Sequence, residues 1–448
     1  MRFSLLTAMH EAIGKVRRSL AGRMFSQGSI VYDTKKVAFT LTAALVLALA
    51  GCGNEERAQD DASGTDAEEG RHLDLTITST EADDEIQDFT PIVASVPHPP
   101  IPFAGSDGRT HLVYELETTN FSAGEATIEQ LEVLNPDSGD VVDTLDTEEV
   151  ASRLQPAGLR EAADALAPSM MAIVFLHVTF DEAGEVPDRL VHRLSLQAEA
   201  APPDQQQITE EVGPIEVDRR NVVMVSPPLR GSNYLAADSC CDSTLHRQAT
   251  LPINGRIRLA QRYAVDYEQL DADNRVYSGE KEVDSYTIYG QEAIAIADGT
   301  VVKVIDGVPE QEPGVFPEGI SPDEADGNSV ILDIGGGNYA LYGHFQPGSV
   351  RVKEGDRVRR GDVLGLVGSS GNSLAPHLHF HVMDGPLPLA SNGLPYVVDS
   401  FTVTGRSAGT EAFNEAEQEG TRLEVTPVDP AERVTQAMPL DQYVVSFD

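Results

Sequence analysis

The chain has 448 residues, 41% of them hydrophobic, which is enough for two domains of ordinary size plus tails. Its 32 Lys and Arg against 72 Asp and Glu give a formal charge of −40 and a pI near 4.4. Such a surface repels nucleic acid and anionic membranes and excludes nucleic-acid binding as a function.

Lys35 and Lys36 precede an apolar run from Val37 to Ala48, and Leu49-Ala50-Gly51-Cys52 follows. A basic stretch, a short apolar run and small residues at a cut predict a secretory signal over residues 1–52. The run is too short to span a bilayer well. Met24 offers a start that shortens the basic region. Leu-Ala-Gly-Cys resembles the bacterial lipoprotein box, which implies that Cys52 becomes the lipidated first residue. Gly53 in place of Asp implies, by resemblance to Gram-negative lipoproteins, the outer membrane facing the periplasm. Membrane contact then comes only through the lipid anchor. Residues 53–72, rich in Ala, Gly, Asp and Glu, read as a flexible acidic tether.

Residues 73–230 alternate apolar and polar positions in several short runs: His72–Thr78, Thr110–Thr118 and Met171–Phe180. Turn clusters such as Ala104–Gly108 and Asn135–Gly139 separate them, and one helical patch is predicted near 158–166. This spacing predicts a β-sandwich. His111 and His177 fall inside strands and read as packed residues, and no catalytic constellation stands out.

The chain has three cysteines. With Cys52 taken by the lipid, the adjacent Cys240 and Cys241 are left as a vicinal disulfide, two thiols or an intermolecular link.

Residues 231–405 are again mainly β, with Gly-led turns and an acidic, Pro-rich loop at 306–326 that is placed to cover a groove. Pro376-His377-Leu378-His379-Phe380-His381 sets three histidines on one face of a strand, with Leu378 and Phe380 on the other. Imidazoles converging from one strand suit a transition metal, zinc above all. Residues 406–448 form an acidic tail with one edge strand near 423–428.

The run Val352-x-x-Gly355-Asp356-x-Val358-x-x-Gly361, followed by Ser370-Gly371-Asn372-Ser373-x-Ala375-Pro376-His377-Leu378-His379-Phe380, resembles the lysostaphin-type zinc endopeptidases, including LytM. The resemblance runs from Arg262 to Val403. It implies the duplicated hybrid motif, an antiparallel β-barrel-like groove, and a cell-wall hydrolase that cuts the peptide cross-links of peptidoglycan. It implies Zn²⁺ as cofactor and Asp266 and His379 as metal ligands. His377 is implied as general base and His344 as the group that stabilises the oxyanion or protonates the leaving amine.

One position departs from the pattern. Four residues before Asp266, where the family places its first histidine ligand, stands Arg262, and Ala264 replaces the family's glycine. A guanidinium has no lone pair for zinc, and a catalytic zinc normally takes three protein ligands. Two histidines are candidates to repair the set: His246, from a loop just upstream, and His381, where the family has Glu. The alternative is an ion pair of Arg262 with Asp266 that blocks metal. That leaves an inactive groove which binds wall peptide or activates a partner amidase, an envelope protein.

Overall fold

Alternating apolar residues set the first layer. In the computed structural model, which describes residues 89–448, the strands are β1 (Ile92–Ser95), β2 (Phe103–Ala104), β3 (Thr110–Asn120), β4 (Ala126–Leu134) and β5 (Val141–Asp146). Helix α1 (Thr147–Arg153), β6 (Leu154–Pro156), β7 (Met171–Phe180), β8 (Arg189–Ala198) and β9 (Gln207–Glu216) complete this layer. Signal, tether, Cys52 and the run His72–Thr78 lie outside the described residues.

Two antiparallel sheets, β1-β3-β7-β6 with β2 beside β3, and β5-β4-β8-β9, face each other as a sandwich. Leu112, Tyr114 and Leu116 of β3 and Val174 and Leu176 of β7 pack against Leu131, Val133, Leu194 and Leu196. The opposite face of β3 and β7 is covered too, by the second half of the chain, so Val113, Glu115, Ile173 and Phe175 are also buried.

The helix expected near 158–166 is not formed; that stretch is turn and bend, and Leu166 bridges to Ala126. Pro156 and Pro168 bracket a segment too short to sustain a helix of its own. The helix forms earlier, at α1, where Asp146 and Glu149 make a capping box.

The second half is built on one large sheet. Its elements are β10 (Val223–Val225), β11 (Gly231–Ala237), α2 (Thr244–Arg247), β12 (Leu251–Ile253), β13 (Arg256–Arg258), β14 (Val265–Gln269) and β15 (Glu292–Ile294). Then come β16 (Gly299–Ile305), β17 (Asn328–Gly335), β18 (Asn338–Phe345), β19 (Arg357–Val358), β20 (Val363–Leu366), β21 (Leu378–Met383) and β22 (Gly393–Leu394). The chain closes with β23 (Tyr396–Ser407), α3 (Thr410–Glu419), β24 (Val425–Ala437) and β25 (Tyr443–Phe447).

The order along the sheet is β10-β23-β25-β11-β14-β21-β18-β17-β16-β19. It is antiparallel except for β10 against β23, and among the described residues it stays open rather than closing into a barrel. Both halves belong to one compact unit, Asp84–Asp448. Beyond the strand read near 423–428, residues 406–448 supply β25, which lies inside the sheet between β23 and β11. The fold is mainly β, as composition and alternation indicate. No helix among the described residues is long and apolar enough to cross a membrane.

Candidate metal centre

β14, β21 and β18 lie side by side, and their register assembles the site. Asp266 stands opposite His379, and Gly343 stands opposite His379 from the other side. On β21 the odd positions His379 and His381 share a face, while Leu378, Phe380 and Val382 enter the main core. The period-two reading therefore holds for His379 and His381, while His377 stands one residue before the strand. Asp266 comes from β14 in the same way, with Val265 and Tyr267 on the core side.

His379 is fixed at both ring nitrogens. Nδ1 lies 2.8 Å from Asp266 Oδ1, and Nε2 lies 3.0 Å from Nδ1 of His381. Burial, with the neighbouring His379, holds His381 well below the usual histidine range, so it is neutral. Asp266 is ionised and only accepts, so His379 Nδ1 donates to it; with a metal on Nδ1 the His379 proton would sit on Nε2, where neutral His381 accepts it at Nδ1. The structure thus places His381 behind His379, on the ring edge remote from Asp266. Its own Nε2 is buried without a hydrogen-bond partner.

His246 reaches the same carboxylate from outside the sheet. After β11, Asp238 takes a left-handed backbone (φ 48°). The chain doubles back through Cys240 and Cys241, which form a disulfide, into the one-turn helix α2. His246 donates from Nδ1 to the Asp238 carbonyl at 2.8 Å, which turns Nε2 to within 3.4 Å of Asp266 Oδ2. Burial opposes its charge, but Asp266 and Asp238 outweigh burial and raise it to about 9. Asp266 is held well below the carboxylate range: its burial is overcome by His377 and His246.

Arg262 does not approach this cluster as an ion-pair partner; among the described residues Asp266 pairs with His246, His377 and His379. Arg262 turns instead to the sandwich, where Nη2 lies 2.7 Å from Glu115 Oε2 on β3. Arg247, the residue after His246, pairs with the other oxygen of Glu115 and donates to the Tyr114 carbonyl at 2.8 Å. It also lies 4.9 Å over the Phe175 ring. The blocking pair expected between Arg262 and Asp266 is replaced by this one because Glu115, 1% exposed, is a carboxylate that burial obliges to find cations. Sequence reasoning missed Glu115: within an alternating strand it reads as one more polar residue.

His377 and His344 complete the arrangement. His377 donates from Nδ1 to the Ala375 carbonyl at 2.8 Å, leaving Nε2 3.4 Å from Asp266 Oδ1. His344 ends β18 with φ 62°, an uncommon backbone for a non-glycine residue. Its amide donates to Asp326 at 2.9 Å and its Nδ1 to the Ser370 carbonyl at 2.6 Å. Ser370 is brought there by a crossing of two loops at which a Cβ on Gly371 would lie 2.3 Å from the Gly327 nitrogen. The rings of His344 and His377 are 4.6 Å apart. Burial and the neighbouring His377 and His379 hold His344 well below the usual range.

Ligating atoms of His246, Asp266 and His379 lie within 4.8 Å of one another, all buried. Two imidazoles and one carboxylate, with no Lys or Arg among them, are a donor set that fits zinc. The fourth candidate, His381, serves the set from behind. The acidic loop 306–326 runs beside the same place: Gly314 donates to Leu374, Gln311 to Ser369, and Ala325 accepts from Asn372.

Comparison with known proteins bears on the second half of the chain. Residues 279–391 match the model of peptidase family M23, a stretch that takes in His344, His377, His379 and His381 and begins beyond Asp266. A 59-residue stretch is 41% identical to Endolysin 2638A of Staphylococcus phage 2638A, and the match spans 12% of this chain and 12% of the endolysin. Among solved structures, the chain is similar to the catalytic domain of lysostaphin from Staphylococcus simulans, with 23% identity, 36% of this chain and 86% of that one covered, and a TM-score of 0.20. It is also similar to a zinc-containing peptidase from Vibrio cholerae, with 14% identity, 66% and 85% covered, and a TM-score of 0.20. Likeness at such TM-scores carries no weight beyond the family match. Over residues 279–391, about a quarter of the chain, the sequence is similar to peptidase family M23.

Proposed function

We propose that this chain is a zinc metalloendopeptidase that hydrolyses the peptide cross-links of peptidoglycan. One observation supports the reading: from α2, His246 brings a third buried donor beside Asp266 and His379, a place Arg262 cannot fill. His246, Asp266 and His379 would hold the ion. When bound, zinc acts as a Lewis acid on the scissile carbonyl and lowers the pKa of water toward about 7.

The chain's own residues do the rest. His377, its Nδ1 proton committed to Ala375, presents Nε2 as the base that takes the proton of the attacking water. His344, likewise committed through Nδ1 to Ser370, presents a neutral Nε2 beside it. Once protonated, this nitrogen donates to the developing oxyanion or to the leaving amine. The envelope address through Cys52, at the outer membrane facing the periplasm, belongs to the same proposal, and it puts wall peptides within reach.

The test is digestion of purified peptidoglycan followed by mass analysis of the fragments. The wild-type chain releases peptides with a new amine terminus, and His377→Ala lowers the rate by about 10²–10⁴-fold, the usual worth of a general base. Undiminished release by His377→Ala, or none by the zinc-loaded wild type, overturns the reading.

A further inference from the structure

A second histidine cluster lies outside the site just described. His111 of β3 and His177 of β7 face each other, with His111 Nδ1 2.9 Å from His177 Nε2 and the rings stacked at 5.2 Å. Each outer nitrogen meets a carboxylate: His111 Nε2 is 3.0 Å from Asp107 Oδ1, and His177 Nδ1 is 2.8 Å from Asp242 Oδ2. Cys241 completes the group: its sulfur lies within 4.8 Å of a ring nitrogen of each histidine. The group lines a cleft of about 750 Å³ that also contains Cys240, Arg109 and Asp441.

Burial raises Asp107 and Asp242, but hydrogen bonds from His111 and His177 outweigh it, so both carboxylates stay ionised and only accept. The outer nitrogens must therefore donate. In neutral imidazoles, both inner nitrogens then carry lone pairs, and two lone pairs 2.9 Å apart repel. The geometry calls for a positive charge between them. A carboxylate behind each imidazole is the arrangement that orients metal-bound histidines, and the Cys241 sulfur has no part in a merely shared proton.

We propose that His111 Nδ1, His177 Nε2 and the thiolate of Cys241 form a second transition-metal site, open when the Cys240–Cys241 disulfide is reduced and closed when it is formed. Mixed imidazole and thiolate donors select zinc-like cations over calcium or magnesium. In the opening step a dithiol reductant gives two electrons. The Cys240–Cys241 bond breaks, an S–S bond forms in the reductant, and its two protons pass to the two cysteine sulfurs. Binding of the cation then releases the Cys241 proton to solvent. Asp242 and His246 lie four residues apart in the connection between β11 and β12, so occupancy of this site bears on the segment that carries the proposed third ligand of the first.

The experiment is a Co²⁺ titration of the full chain carrying Asp266→Ala and His379→Ala, which removes the first site and makes the outcome independent of the proposed peptidase activity. With dithiothreitol present, one equivalent of Co²⁺ produces a thiolate-to-metal band in the near ultraviolet. Without reductant the band is missing. Adding Cys240→Ser leaves Cys241 a permanent thiol and brings the band back without reductant. His177→Ala or Cys241→Ser abolishes it; Cys52 is present throughout and cannot supply a band that these changes remove. No band in either the reduced chain or the Cys240→Ser variant means a shared proton only and overturns the proposal. A band that survives His177→Ala, or that is equal with and without reductant, overturns it as well.

Discussion

Glu115 of the sandwich and Arg262, at the position where the resemblance implies a histidine ligand, form an ion pair at 2.7 Å, and Arg247 shares the same carboxylate. The residue that cannot bind metal thus helps anchor the segment that can, because Arg247 follows His246 directly. This pairing ties the sandwich to the segment that carries the proposed metal ligand His246.

Glu115→Gln should therefore do two kinds of damage. It leaves two buried guanidinium groups without their anion, which costs on the order of 3–5 kcal/mol. It also loosens His246, so zinc affinity falls in those molecules that stay folded. Urea unfolding and a zinc titration read the two effects separately; a variant as stable as the parent contradicts the assignment.

His381 is expected to act on the metal only through His379. His381→Ala removes the acceptor for His379 Nε2 and should weaken zinc binding by about 10–100-fold, the range for an outer partner. His381→Glu supplies an acceptor again and should recover most of that loss. Equal affinity in all three chains, measured by competition with a chelator, rules the role out.

The metal-free protein should lose stability as pH rises from 6.5 toward 9. The folded state raises His246 from 6.5 to about 9, so its ion pair with Asp266 contributes fully below 6.5 and is lost as pH climbs through 9. Zinc requires the neutral imidazole, so binding at pH 7 should release a proton that His246→Ala does not release. Calorimetry in buffers of differing ionisation heat measures that proton.

His192 sets the opposite slope in the sandwich. Burial lowers it from 6.5 to about 4, with Nε2 3.0 Å from the Tyr114 hydroxyl. A depressed histidine contributes stability that is present above 6.5 and lost as pH falls toward 4. His192→Gln should flatten the melting temperature across that window, and an unchanged slope removes His192 as its source.

Much of this was legible in the sequence, for reasons that differ by residue. His379 and His381 are legible because a strand's period of two puts alternate residues on one face, and Thr110–Asn120 and Met171–Phe180 for the same reason; His377 is legible from the same run but precedes the strand. The departure at Arg262 was legible by counting back from Asp266. His246 was legible only as a candidate, since a loop ligand has no period to mark it and its arrival depends on the backbone reversal at Asp238. Glu115 and β25 were not legible. A buried carboxylate looks like any outward residue until a second layer covers its face, and a short strand from an acidic tail gives no sign that it pairs inside a sheet.

The most direct measurement is the zinc content of the full chain beside its His246→Ala and Arg262→Ala variants after dialysis against excess metal, with the second cluster disabled by His177→Ala in all three. The parent should hold one zinc, Arg262→Ala should keep it in the fraction that remains folded, and His246→Ala should lose it. A His246→Ala chain that retains its zinc would contradict the claim that α2 supplies the missing ligand.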